Sequence, residues 1–246
     1  MTYLKRVFQL DEQWCHVRLP DHPNGYCVMI LGDLNHFVNE SRSLWEESEQ
    51  RRHLVETLLD NGYTVFYSHL YGAHWGNDDS IKLSEDLIHH VLSKGILNER
   101  IHLLAEGIGA LTALGLMERN GRKIRSAAFV NPCLDLKAYV NEAAETRWSY
   151  KKLIKQLADA YQLPVESIHE VIEDKHDITA LNAKVPVKIW HSTSSHVYPF
   201  KVHSRVYAAY RKKQGAPVSL LLHYPEKRFY FNEPLVAFFH NHEAEL

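Results

Sequence analysis

The chain has 246 residues, of which 45% are hydrophobic and 24% charged, and its net charge is −2. That length and apolar content suffice for one large α/β core, and the near-neutral charge argues against nucleic acid or an anionic membrane as the main partner. Residues 1–12 are broken by charge and hold no apolar signal core, no apolar run nears the about 20 residues of a membrane helix, and three scattered cysteines lack a CxxC, so a reduced, cytoplasmic protein without membrane contact is expected.

Residues 3–10 and 14–19 alternate in hydropathy and predict a hairpin, with a turn over 21–25. The run 26–31, Tyr-Cys-Val-Met-Ile-Leu, is apolar throughout, as in a strand covered on both faces. A helix is expected over 43–59, stopped by Asn61-Gly62, and a second strand over 64–67. A polar loop over 69–80 leads to a helix over 80–93. The apolar run from Ile101 then reaches a turn of small residues, and a helix with an Ala/Leu face follows, ending near 118–121. Another buried strand covers 125–130, closed by Asn131-Pro132. Residues 135–183 change character to charged amphipathic helices. A strand at 186–190, a helix at 199–214, a strand at 218–224 and a helix at 232–242 complete the chain. The alternation predicts a doubly wound, mostly parallel sheet in one α/β domain, with 135–183 inserted over the carboxyl ends of the strands.

The turn after residue 104 reads Ala105-Glu106-Gly107-Ile108-Gly109. Its strand–turn–helix setting resembles the nucleophile elbow, Gly-x-Ser-x-Gly, of the α/β-hydrolase superfamily. The resemblance covers roughly residues 24–240 and implies the α/β-hydrolase fold with a small helical cap. Gly32, Asp33 and Leu34 match the loop that supplies half of that family's oxyanion hole. Residues 71–79 match the loop after its next strand. Residues 186–199 match a segment that carries the triad aspartate, and Ser195 stands at that position beside His196. Arg228 stands where the catalytic histidine is expected, and Gly107 replaces the serine. The resemblance therefore implies a degenerate member without the Ser-Asp-His triad.

A triad acts as a unit, and no single replacement repairs its loss. Gly107 also removes the Cβ penalty of a strained turn. What survives is a helix N-terminus, with the N–H groups of Ile108 and Gly109 suited to an anion but opposed by Asp33 and Glu106. The expected pocket is thus formed by Gly32, Asp33, Leu34, Glu106, Gly107, Ile108, Ser195, His196 and Arg228, with no catalytic residue, metal or cofactor. The expected function is non-catalytic binding of a small molecule or partner protein at the former active site. The alternatives are an active serine hydrolase of esterase or peptidase type with a rearranged site, and a structural partner of another protein.

Smaller features carry two readings each. Glu106 is either an acid of a changed site or a polar neighbour of the turn. Residues 192–196, Ser-Thr-Ser-Ser-His, are either a displaced Ser–His pair or a polar loop. His74-Trp75 line a pocket or anchor the insertion. Cys133 reads as a small buried filler rather than a reactive thiol. The seventeen histidines include His89-His90 and His240-x-His242, which read as helix-surface positions and not metal ligands. The charged stretch 150–155 is a solvated face, a lid or a partner surface.

Overall fold

The computed structural model describes residues 3–144, 147–175, 178, 181–224 and 231–243. An eight-stranded sheet runs in the order β1-β2-β4-β3-β5-β6-β7-β8. β1 (Leu4–Leu10) and β2 (Gln13–Leu19) form the predicted hairpin, and β2 pairs antiparallel with β4 (Thr64–Ser68). The hairpin turns on Asp11 and Glu12, both left-handed at φ 47° and 59°. Two such residues in succession match the right-handed twist of the strands. All other pairings are parallel: β4 with β3 (Cys27–Leu31), then β5 (Ile101–Glu106), β6 (Ile124–Val130), β7 (Val187–Ser192) and β8 (Val218–His223). The doubly wound, mostly parallel α/β sheet read from the sequence is the architecture observed.

The continuous apolar runs follow from two covered faces. In β3, Cys27, Met29 and Leu31 enter one core, while Val28 and Ile30 enter the other. β6 divides likewise, Ala127 and Phe129 against Ala128 and Val130. The first core receives α3 (Asp78–Lys94), α4 (Gly109–Asn120) and α8 (Ser204–Lys213). The second receives α1 (Leu44–Glu47), α2 (Glu49–Asp60) and α9 (Asn232–His240).

Some boundaries differ from expectation for local reasons. The helix expected over 43–59 is two, because Ser48 is extended at φ −76°, ψ 116° between α1 and α2. α3 begins earlier than residue 80 because the Asn77 side chain accepts the N–H of Ser80. α8 begins at Ser204, after a turn from Pro199.

Between β6 and β7 lie α5 (Leu136–Ala144), α6 (Arg147–Tyr161) and α7 (Ile168–Lys175). Leu136, Val140, Leu153, Leu157 and Ile168 form a third core with Trp75, Ile108 and Tyr198. Trp75 is buried and packs 5.5 Å from the Tyr139 ring, and its carbonyl accepts the Tyr161 hydroxyl at 2.9 Å. Trp75 thus anchors these helices, one of the two roles its sequence context offers.

Chain order explains where the site must lie. β4 sits on one side of β3 and β5 on the other, so the winding reverses between β3 and β5. Leu31 pairs with Ala105 at their carboxyl ends. The loops after these strands, 32–34 and 106–108, therefore meet at the switch point, where such sheets place their ligands.

Candidate active site

Gly107 occupies the turn between β5 and α4 with φ +54°. Its N–H donates to Val130 O and its carbonyl accepts from Cys133 N, at 3.3 and 2.9 Å, so the turn is tied to the end of β6. Gly109 follows because α4 approaches β3 closely: a Cβ there would lie 2.3 Å from Leu31 O.

The space a side chain at Gly107 would fill is taken. A Cβ on Gly107 would fall 2.0 Å from both Cγ and Oδ1 of Asp33. The Asp33 carboxylate thus reaches from the loop after β3 into the elbow. Its Oδ1 accepts the Ile108 N–H at 3.0 Å and the Tyr198 hydroxyl at 2.9 Å. Burial pushes the Asp33 carboxyl above the ordinary range, and Glu106 adds to the rise, while the Ile108 and Leu34 N–H groups and the Tyr198 hydroxyl pull against it. The anion expected at the helix N-terminus is supplied by the chain itself. Of the two N–H groups expected to remain for a ligand, that of Ile108 is already used.

Tyr198 is buried, and its phenol is driven well up by burial and then by Asp33 and Cys133, so it remains a proton-bearing donor. Its position is held from behind. His191 in β7 bonds Ser204 Oγ through Nδ1 at 2.6 Å and Tyr198 O through Nε2 at 2.7 Å. Burial lowers the His191 pKa to about 4, which keeps the ring neutral in that bridge.

Glu106 is held by Arg51 of α2 in a two-pronged pair: Nε donates to Oε2 at 2.9 Å and Nη2 to Oε1 at 2.7 Å. Both side chains are largely buried, 17% and 8% exposed, and the guanidinium lies 5.8 Å from the Trp45 ring centre. Bidentate pairs of this kind fix direction as well as charge. At the end of β6, Asn131 adopts φ +44° and accepts the Ser192 N–H on Oδ1 at 2.7 Å, which joins β6 to the end of β7.

Beside these groups lies an open cleft of about 330 Å³ lined by Asp33, Glu106, Asn131, Ser192, Ser194, Ser195, His196, Val197 and Tyr198. Of the pocket residues named from the sequence, Asp33, Glu106, Ser195 and His196 line this cavity. Gly32, Leu34, Gly107 and Ile108 surround the carboxylate without lining the cavity. Arg228 lies outside the described residues. Asn131 and Tyr198 also line the cavity, and Arg51 reaches it through Glu106 from α2, a contact that sequence spacing does not signal. His74 is buried, bonds Gly76 N and Thr112 Oγ1, and does not line this cavity. Cys133 is buried and its thiol is pushed well up by burial, so it stays protonated. Among the described residues no group of three or more His, Cys, Asp or Glu is arranged to hold a metal ion. Ser192 Oγ and Ser194 Oγ lie 3.2 Å apart.

No protein-family model and no curated protein sequence matches the chain. Solved structures do. A puromycin-hydrolyzing peptidase of Mycobacterium tuberculosis superposes with TM-score 0.74 at 15% identity, over 98% of this chain and 39% of its own. An acylaminoacyl peptidase of Pyrococcus horikoshii gives 0.73 at 13% identity, over 100% and 43%. Est1E from Butyrivibrio proteoclasticus gives 0.63 at 15% identity, over 96% and 99%. The chain has the α/β-hydrolase fold. It spans about two fifths of the two peptidases and nearly the whole of Est1E. A 2,6-dihydroxy-pseudo-oxynicotine hydrolase matches as well, at TM-score 0.66 and 15% identity.

These comparisons correct the expectation of a non-catalytic binding protein, since the proteins that share the fold are named as peptidases and a hydrolase. That expectation rested on Gly107, Ser195 and Arg228 at the three triad positions. An elbow without serine is not an empty site here, because the half-buried Asp33 carboxylate stands where a side chain at 107 would be. Among the described residues no helix is long and apolar enough to cross a membrane.

Proposed function

We propose that the chain is a hydrolase of small esters or amides that works from the Asp33 cavity, with Asp33 as general base on water. In this reading the site is a degenerate one: Gly107, Ser195 and Arg228 do not act as Ser, Asp and His, and the reacting carboxylate comes from the loop after β3. The observation that carries it is the Asp33 carboxylate at the elbow, raised in pKa and held by the Ile108 N–H and the Tyr198 hydroxyl. A base is most effective when its pKa approaches the working pH, and a raised carboxylate moves in that direction.

The step balances without a covalent intermediate. Asp33 takes a proton as the water oxygen bonds to the substrate carbonyl carbon. The protonated carboxyl then returns that proton to the leaving alkoxide or amine as the carbon–heteroatom bond breaks. Asn131, Ser192 and Ser194 line the same cavity and offer neutral donors to the developing oxyanion. Glu106 stays paired with Arg51 and sets the local potential. A cavity of about 330 Å³ suits a small substrate. In this reading the chain is one domain, and helices α5–α7, packed on Trp75, Ile108 and Tyr198, are its cap.

The serine version of a rearranged site lacks its geometry, since among the described residues neither Ser194 nor Ser195 hydrogen-bonds to His196. A fluorophosphonate probe tests the difference. The proposal expects turnover of p-nitrophenyl acetate or an amino-acid p-nitroanilide without stoichiometric labelling of any serine. Labelled Ser192, Ser194 or Ser195 would overturn the water mechanism, and absence of turnover across an ester and amide panel would overturn the activity.

A further inference from the structure

At the opposite end of the sheet from Gly107, the β1–β2 hairpin, the start of β4 and the carboxyl end of α3 enclose a second cavity of about 840 Å³. Its floor is apolar, made by Phe8, Val17, Leu19, Val91 and Leu97. Ile96 stands on its rim with its side chain fully in solvent. The charge distribution is one-sided. Arg6 and Lys94 line the cavity, and His90 lies against the Phe8 ring at 4.4 Å. No carboxylate is among the lining residues described, although the chain as a whole carries a net charge of −2. The volume lies within the range of ligand sites, about 300–1,000 Å³. An apolar floor whose charged edge groups, Arg6 and Lys94, are both cations suits an apolar chain with an anionic head.

We infer that this groove binds a single-chain amphiphile with an anionic head, a free aliphatic carboxylate whose chain lies on Phe8, Val17, Leu19 and Leu97 and whose head meets Arg6 and Lys94. The chain would contribute by burial, and each added methylene is worth about fourfold in affinity. The head would contribute by charge, at an exposed position where salt screens it. A second copy of the chain or an anionic membrane would use the same surface differently, and both are separable by experiment.

The test is titration calorimetry of the full chain with saturated carboxylates of eight to twelve carbons, kept below their micelle concentrations, and with the matching alcohols. Expected are one site per chain, about fourfold tighter binding per methylene, and alcohols at least tenfold weaker. Arg6→Glu with Lys94→Glu changes two exposed residues and is expected to fold as the parent does. It should weaken the acids at least tenfold and leave the alcohols unchanged. Leu97→Asp should weaken both series. Equal affinity for acid and alcohol, acid binding unaffected by the double variant, or no binding would each overturn the inference. So would a dimer in sedimentation that Ile96→Glu dissociates, or binding seen only with vesicles containing phosphatidylglycerol.

Discussion

Gly107 and Asp33 are mutually dependent: the Asp33 carboxylate lies where the Cβ of any other residue at 107 would be, 2.0 Å from its Cγ. The turn also has φ +54°, a region that residues with a Cβ occupy at a cost of about 1–3 kcal/mol. Gly107→Ala should therefore destabilise the fold by at least ~1–3 kcal/mol, about 2–4 °C of melting temperature per kcal/mol for a chain of this size. Asp33→Gly in the same chain should recover part of that loss. A thermal-melt double-mutant cycle reads the coupling, and strict additivity would show that the two positions do not share space.

Asp33 makes a signed prediction about pH. Its folded carboxyl sits above its unfolded value because of burial, so over that interval the folded chain holds more protons than the unfolded chain. Stability then falls as pH rises through the window and stays lower above it. Asp33→Asn keeps an acceptor for Ile108 and Tyr198 and removes this effect. The variant should melt higher than the parent at pH 7, and the gap should close as pH falls below the usual carboxylate range. A gap that widens on acidification would reverse the sign assigned here.

The Arg51–Glu106 pair should matter for both stability and titration. Removing one member of a buried pair leaves the other unmatched, at about 3–5 kcal/mol. Arg51→Leu should cost on this order in denaturant unfolding. Glu106→Gln should lower the Asp33 pKa, because the Glu106 charge helps to raise it. The acid limb of a pH–rate profile should move to lower pH in Glu106→Gln.

Tyr198→Phe removes one donor from Asp33 Oδ1 and little volume. That hydrogen bond favours the ionised carboxyl, so its loss should move the acid limb upward, opposite to Glu106→Gln. Two variants with opposed shifts at one carboxyl are difficult to reproduce through general loosening of the site.

The fold was legible because burial on two faces writes itself as apolar runs, as at 26–31 and 125–130. The elbow was legible because Gly107 sits in a recognisable strand–turn–helix. Asp33 was placed near the pocket, but its loop gives no sign that its carboxylate enters the elbow. That depends on Leu31 pairing with Ala105 across the switch point. Arg51 reaches Glu106 across 55 residues, and Tyr198 reaches Asp33 across 165. Contacts of that separation are products of topology, and hydropathy periodicity does not encode them. The three altered triad positions, Gly107, Ser195 and Arg228, likewise do not reveal that a carboxylate stands at the elbow.

In the proposed function, Asp33 carries the chemistry. Parent and Asp33→Asn chains, matched for folding by circular dichroism, should be compared in hydrolysis of p-nitrophenyl acetate across pH 4–9. Loss of a general base lowers turnover by about 10²–10⁴-fold. A fall of that size is expected in Asp33→Asn, with the acid limb of the parent profile abolished. Unchanged turnover in Asp33→Asn would contradict it.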